Sequence, residues 1–224
     1  MANILLIETS AEICSVTIAC DGKIINSQMS NEAMQHATHL PLYVEAAMKL
    51  LKEKNITLDA VAVSGGPGSY TGLRIGTSFA KGLCYGTDIP LITIPTLKII
   101  AQNAKEKYNI EDDALLCPMI DARRMEVYCC VYDSKLNEVR ATEPQIIDEN
   151  SFADILKDQK VYFFGNGAAK CKSYITHENA IFLDVTGRND WSSTLPKENC
   201  SFFYPSVSGS VALNDLFDFG RRGG

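Results

Sequence analysis

Residues 64–76 read SGGPGSYTGLRIG and join an apolar strand pattern to a helical pattern. The strand pattern is DAVAVS at residues 59–64, and the helical pattern spans residues 73–85. A strand, a turn and a helix in this order are typical of α/β folds, in which helices cover a partly parallel sheet. The glycines leave two interpretations open. They allow a phosphate cradle at a helix N-terminus, or a close approach between the helix and another backbone.

The segment lacks the patterns that make a phosphate-binding loop specific. It contains neither G-K-[ST] nor G-x-G-x-x-G. Small residues instead recur at every fourth position, Gly72, Gly76 and Ala80, which favours close packing of the helix. The candidates for a phosphate site are the turn residues and the polar end of the first strand. They are Gly65, Gly66, Gly68 and Ser69 of the turn, with Glu8, Thr9 and Ser10.

Residues 1–110 predict the element order β-β-β-α-β-α-β-α. Residues 3–8, 14–19 and 24–29 are short apolar runs separated by turns, which predicts an antiparallel meander. A helix is expected over residues 32–54, because apolar residues recur there at helical spacing. The remaining predicted elements are strands at 59–64 and 91–94 and helices at 73–85, closed by Gly86, and 95–108.

The next part of the chain repeats this opening. Residues 115–121 (LLCPMID) form an apolar run that ends in an acid, as NILLIE does, and residues 126–132 alternate like a strand. A helix at 151–157 capped by Ser151, strands at 161–164 and 181–185, and a helix from Ala168 follow. The repeat predicts two lobes, residues 1–110 and 111–185. Residues 186–224 show no sustained period, which predicts an irregular tail.

Composition restricts the function. The 21 Lys and Arg against 27 Asp and Glu give a net charge of −6, so the chain is a poor nucleic-acid binder by itself. Its eight cysteines form no C-x-x-C pair, which argues against zinc and thioredoxin-like sites. Without an export signal or a long apolar run, the sequence predicts a reduced cytoplasmic protein with no membrane span.

Few residues suggest catalysis or metal binding. His36 and His39 could place two imidazoles on one helical face, but His177 is far along the chain and H-E-x-x-H is absent. A polar helix start is therefore the favoured interpretation of this pair. Asp121 with Arg123 and Arg124 is either an anion site or a surface ion pair. No catalytic residue is predicted.

Five motifs in this order resemble the TsaB family, also called YeaZ, of tRNA threonylcarbamoyladenosine biosynthesis proteins. They are IETS (7–10), HATHLP (36–41), SGGPGSYTGLRIG (64–76), IDARRMEVY (120–128) and FFGNG (163–167). The resemblance covers about residues 1–185. It implies the α/β fold of actin, Hsp70 and sugar kinases (the ASKHA fold), with two related lobes, each a mixed sheet flanked by helices. The family's usual amphipathic C-terminal helix and Tyr-containing tail are not recognisable in residues 186–224.

The resemblance also implies a function. The chain would be a non-catalytic scaffold or activating subunit that binds the catalytic paralogue TsaD and the ATPase TsaE. It would reach tRNA only through that complex. No cofactor is expected for this chain, whereas ATP and Mg are expected for the full complex. An active small-molecule kinase of the same fold is the alternative, and a metallopeptidase is least favoured because no metal-ligand pattern is present.

The partner surface implied by the resemblance lies on the helices of the first lobe, and homodimers are expected through the same helices. The expected interface residues are His36, His39, Leu40, Tyr43, Val44, Ala47, Leu73, Gly76, Ala80 and Leu83. The candidate phosphate site becomes vestigial. Glu8 stands where actin-like kinases have a metal-binding aspartate, and no Lys or Arg precedes Lys23.

Overall fold

The computed structural model describes residues 2–30, 32–33 and 35–184, which form ten strands and five helices. The elements of the first part of the chain are β1 (Asn3–Glu8), β2 (Ser15–Cys20), β3 (Lys23–Met29), α1 (His36–Glu53), β4 (Ala60–Ser64), α2 (Tyr70–Thr87), β5 (Leu91–Ile94) and α3 (Thr96–Lys107). Those of the second part are β6 (Leu115–Asp121), β7 (Glu126–Tyr132), β8 (Glu138–Ile146), α4 (Ala153–Leu156), β9 (Val161–Phe164), α5 (Ala168–Cys171) and β10 (Ala180–Phe182).

The strands form two five-stranded sheets of identical topology. The first has the order β3-β2-β1-β4-β5, in which an antiparallel meander continues into strands parallel to β1. The second has the equivalent order β8-β7-β6-β9-β10, with the same strand directions. The predicted duplication is therefore confirmed. Two such mixed sheets flanked by helices are the ASKHA fold expected from the resemblance.

Helices α1 and α2 pack on the same face of the first sheet. In α1, Leu40, Val44, Ala47 and Leu51 are buried because they recur every three or four residues and so share one face. They pack against the apolar residues of the strands, in a core whose members include Leu5, Ile7, Val16, Ile18, Val61 and Val63. This packing fixes both helix N-termini near the carboxyl end of β1.

Helix α3 lies between the two sheets. On one face, Ile99 packs with Leu6 and Ala62 of the first sheet. On another face, Leu97 and Ile100 pack in a core with strand residues of the second sheet. The helix thus contributes to the hydrophobic cores of both lobes, although the sequence analysis placed it in the first lobe only.

Some predicted boundaries were wrong in detail. Helix α2 continues through Gly86, and Asp88 with a φ of 54° closes it. Ser151 does not cap α4, since its hydroxyl bonds to Asp148 instead. The sequence also missed β8, and its prediction for residues 186–224 lies outside the described residues.

None of the helices within the described ranges combines the length and the apolar character that a membrane span requires. The seven cysteines of those ranges are all free thiols, and six of them are buried.

Candidate functional site

The glycine turn packs tightly against the end of β1. The backbone N–H of Ser69 donates to the carbonyl oxygen of Ser10 at 2.7 Å. A Cβ atom at Gly68 would lie 2.4 Å from that same oxygen, and one at Gly72 would lie 2.1 Å from the carbonyl oxygen of Thr9. These distances are too short for any side chain. The glycines are therefore required for the close approach of the turn and α2 to β1.

Several backbone amides of the turn donate hydrogen bonds inside the chain. Gly65 N–H donates to the carbonyl oxygen of Ile94 at 2.8 Å, and Gly66 N–H donates to Oγ1 of Thr96 at 3.1 Å. Gly72 N–H donates to Oγ of Ser69, which is the N-cap of α2. A phosphate cradle needs free N–H groups that converge on an anion. The close-packing interpretation accounts for the glycines of this segment, and the phosphate site at Gly65, Gly66, Gly68 and Ser69 stays a prediction.

The polar residues at the end of β1 are buried below this turn. Glu8 is fully buried, and its Oε1 accepts hydrogen bonds from Ser10 N at 2.6 Å and from Ser64 Oγ at 2.9 Å. Ser64 ends β4, which runs parallel to β1, so the register brings the two side chains together. Oε2 of Glu8 has no hydrogen-bond partner within the described part of the chain. Burial raises the pKa of Glu8, although the hydrogen bonds from Ser10 and Ser64 oppose this shift.

Thr9, Ser10 and His36 complete a buried polar cluster. The hydroxyls of Thr9 and Ser10 and both ring nitrogens of His36 lack hydrogen-bond partners among the described residues. Burial lowers the pKa of His36, which favours the neutral imidazole. A neutral imidazole and a buried carboxyl supply no positive charge for a phosphate. The predicted residues Glu8, Thr9 and Ser10 are therefore brought together, but as part of the core.

His36 and His39 do not form a metal site. His36 is buried against Gly72, whereas His39 stacks on Tyr43 with ring centroids 5.5 Å apart and lies 4.0 Å from Glu32. Across the described residues, no three His, Cys, Asp or Glu side chains are grouped closely enough to hold a metal ion.

Most of the predicted interface residues are covered by the chain itself. They line the faces of α1 and α2 that pack on the first sheet and on each other. Their assignment to a partner surface stays a prediction, and their burial places them in the core of this chain. They are His36, Leu40, Val44, Ala47, Gly76 and Ala80.

Large apolar side chains also remain on the outer sides of the same two helices. Leu42 on α1 is 56% exposed and Tyr85 on α2 is 82% exposed. Half-buried residues of α1 and α2 lie between these exposed side chains and the core. Four of them belong to the predicted interface, namely His39, Tyr43, Leu73 and Leu83. We call Leu42, Tyr43, Leu73, Leu83 and Tyr85 the helix-pair surface. Large apolar side chains that remain exposed on adjacent helices are a common feature of protein-binding surfaces.

The second lobe repeats the glycine packing with different polar groups. A Cβ at Gly165 would lie 2.3 Å from the carbonyl oxygen of Met119, near the end of β6. The acid that ends β6, Asp121, is paired with Lys170 rather than with an arginine. This pairing lowers the pKa of Asp121. Lys170 was not singled out from the sequence, and Asn166, whose Oδ1 accepts from Asp121 N–H at 2.9 Å, was named only as part of the FFGNG motif.

The comparison with protein families gives one match over most of the chain. The family model described as "TsaD: tRNA N6-adenosine threonylcarbamoyltransferase" matches residues 23–192. Two curated relatives are tRNA threonylcarbamoyladenosine biosynthesis proteins TsaB. The protein from Bacillus subtilis is 29% identical over 203 residues, which are 88% of this chain and 82% of the relative. The protein from Buchnera aphidicola subsp. Schizaphis graminum is 30% identical over 173 residues, which are 75% and 80% of the two chains.

The fold is also similar to a solved structure. YeaZ from Pseudomonas aeruginosa superimposes with a TM-score of 0.65 at 26% sequence identity, and the match covers 87% of this chain and 89% of that one.

Proposed function

The chain belongs to the TsaB family, and from this premise we propose that it is a cytoplasmic, non-catalytic subunit in tRNA threonylcarbamoyladenosine biosynthesis. It binds the catalytic paralogue TsaD through the helix-pair surface, and the ATPase TsaE joins this complex. The chain requires no cofactor of its own, whereas ATP and Mg are used by the complete assembly. Contact with tRNA occurs only in the assembly, in keeping with the net charge of −6.

The observation that carries the non-catalytic part of this proposal is the close packing of the glycine turn against the end of β1. Phosphoryl transfer requires cations and N–H donors positioned around the phosphate groups. At the end of β1, however, the amides of Gly65, Gly66 and Ser69 are bonded internally, and the nearest carboxyl group is buried. This arrangement disfavours the alternative of a small-molecule kinase.

The helix-pair surface supports the choice of partner site. The buried faces of α1 and α2 are occupied by their own sheet, while Leu42 and Tyr85 remain largely exposed. A related fold with equivalent helices can pack its own apolar surface here, in the manner of a helix bundle. Without TsaD, two copies of the chain cover the same surface as a homodimer.

The proposal is tested by measuring the affinity of purified chain variants for TsaD. Leu42→Glu and Tyr85→Glu introduce charges on the helix-pair surface, and we expect each to weaken binding at least about tenfold. Val139→Glu and Ile146→Glu are the matched controls, because these residues are 52% and 74% exposed on β8 of the second lobe. All four variants should remain folded, since the changed side chains are exposed.

Two results would contradict the proposal. Normal TsaD binding by Leu42→Glu and Tyr85→Glu would show that the partner surface lies elsewhere. ATP hydrolysis by the isolated chain, lost on Glu8→Gln, would favour the kinase.

A further inference from the structure

The turn between β6 and β7 holds two arginines in an uncommon backbone conformation. Arg123 and Arg124 have φ angles of 69° and 46°. Glycine and asparagine adopt positive φ at lower cost than other residues, and a non-glycine residue held there costs on the order of 1 kcal/mol. Within this fold the conformation therefore gives no reason for arginine at either position.

The two side chains make no contact that explains them either. Both residues are exposed, and neither guanidinium group forms a hydrogen bond or an ion pair with any residue that the structure describes. The adjacent acid, Asp121, is paired with Lys170, and the charge of Arg123 is a lesser cause of the lowered pKa of Asp121. Lys170 balances the charge of that carboxylate. The other acid within residues 121–126 is the half-buried Glu126, so the two arginines leave this turn with a net positive charge.

The backbone of the turn is held rigidly around these side chains. Nζ of Lys170 donates to the carbonyl oxygens of Arg124 at 2.8 Å and Glu126 at 2.7 Å. Arg123 N–H donates to Oδ1 of Asp121 at 3.1 Å. Because the turn is already ordered, binding of a ligand costs less conformational entropy.

We propose that Arg123 and Arg124 form a contact site for the phosphate backbone of RNA. Guanidinium groups pair with phosphate oxygens through two parallel hydrogen bonds, and two adjacent arginines can engage neighbouring phosphates. The inference rests on the proposed function, because the RNA is the tRNA presented to the complex. In an acidic chain, a local cationic turn reduces the repulsion where the RNA approaches.

The test compares two double variants in complex with TsaD. Arg123→Asn with Arg124→Gly removes both charges and suits positive φ. Lys135→Gln with Lys157→Gln removes two charges elsewhere. Lys135 lies in the turn at the opposite end of β7, and Lys157 precedes the start of β9. Binding of a labelled tRNA transcript to each complex is measured at low and at moderate salt, together with the melting temperature of each free chain.

We expect the arginine variant to bind tRNA roughly 5–20-fold more weakly at low salt. The slope of the logarithm of the affinity against the logarithm of the salt concentration should fall by the amount that about one to two phosphate contacts contribute. Its melting temperature should equal or exceed that of the unchanged chain, which separates a binding role from a structural role. The lysine variant should bind tRNA nearly as well as the unchanged chain.

Three outcomes would overturn the inference. One is unchanged tRNA binding by the arginine variant in an intact complex. Another is loss of TsaD binding by that variant, which would assign the arginines to an acidic protein surface. The third is that the unchanged chain neither binds TsaD nor reaches tRNA with it. In that case the proposed function fails as well. In the first case it stands, and in the second the subunit role stands but the TsaD contact is not limited to the helix-pair surface.

Discussion

Gly72 shows how the absence of one Cβ atom fixes the position of a helix. A Cβ there would lie 2.1 Å from the carbonyl oxygen of Thr9, and backbone cannot yield as a flexible side chain would. We expect Gly72→Ala to lower the free energy of unfolding by about 1–3 kcal/mol, as overpacking does. Urea denaturation followed by circular dichroism measures the change.

Gly82 provides the matched control on the same helix. A Cβ at Gly82 would have no neighbour within 4 Å among the atoms considered. Gly82→Ala should therefore raise the free energy of unfolding by about 0.5–1 kcal/mol, because alanine loses less backbone entropy in a helix. Equal effects of the two substitutions would contradict the close-packing role of Gly72.

Glu8 makes the stability of the first lobe depend on pH. Its pKa is raised in the folded chain by burial, so the folded state holds this proton more tightly than the unfolded state. The resulting stabilisation is complete below the unfolded pKa, near 4.5, and is lost as the pH rises through the folded pKa. Glu8→Gln keeps an oxygen acceptor for Ser10 and Ser64 but has no proton to release.

The variant Glu8→Gln should consequently gain stability relative to the unchanged chain between about pH 5 and pH 8. Urea denaturation at both pH values gives the two differences in free energy of unfolding. Glu12→Gln, at an exposed position between β1 and β2, is the control for removal of a charge. A difference that stays constant or shrinks with pH would argue against a buried carboxyl with a raised pKa.

At the scale of the elements, α1 and α2 each carry two apolar surfaces with different roles. Helical periodicity in the sequence identifies apolar positions, but it does not state what covers each of them. In the structure the face with Leu40, Val44 and Ala47 covers the chain's own sheet. The neighbouring helix-pair surface is partly exposed, and we propose it as the partner surface. This division explains why most of the predicted interface residues were found in the core.

The β6–β7 hairpin depends on a residue from another element. Lys170 of α5 bonds to Asp121 and to two carbonyl oxygens of the turn. We expect Lys170→Gln to return the pKa of Asp121 towards its usual range, because the hydrogen bond from Lys170 is the main cause of the lowering. Backbone amide exchange at Arg123 should become several-fold faster as the turn loosens.

Titration and exchange by NMR measure both effects. Lys172→Gln, two residues along the chain at an exposed site, is the control and should change neither. Unchanged exchange at Arg123 in the Lys170 variant would mean that the turn is ordered without this lysine.

At the scale of the whole molecule, α3 joins the cores of two lobes with equal topology. Ile99 packs on the first sheet and Leu97 in the core of the second, and both are fully buried. We expect Ile99→Ala and Leu97→Ala each to cost about 2–4 kcal/mol in free energy of unfolding. Because both cores share one helix, each substitution should shift a single, common unfolding transition.

Urea denaturation followed by two probes, far-UV circular dichroism and tyrosine fluorescence, measures this coupling. Glu106→Ala, exposed on the same helix, should change the free energy of unfolding by less than about 0.5 kcal/mol. Two separate transitions, one shifted by Ile99→Ala and the other by Leu97→Ala, would show that the lobes unfold independently.

The sequence by itself determined nine of the ten described strands, the meander and the duplication of the two lobes. These features depend on short-range patterns, namely apolar runs, alternation and turns, that act within a few residues. Strand β8 was missed because most of its residues are exposed and Pro144 interrupts the pattern, as is tolerated on an edge strand. The resemblance of five motifs to one family was likewise readable from the chain alone.

Only the tertiary structure decided what those motifs do. The glycines of residues 64–76 could cradle a phosphate or approach a backbone, and the contact with Thr9 and Ser10 shows the close approach. Asp121 could pair with several cations, and Lys170, 49 residues away, is the one that reaches it. Which groups contact each other depends on distances between segments that are far apart in the chain. These distances follow from the packing of the sheets and helices, and a local sequence pattern does not contain them.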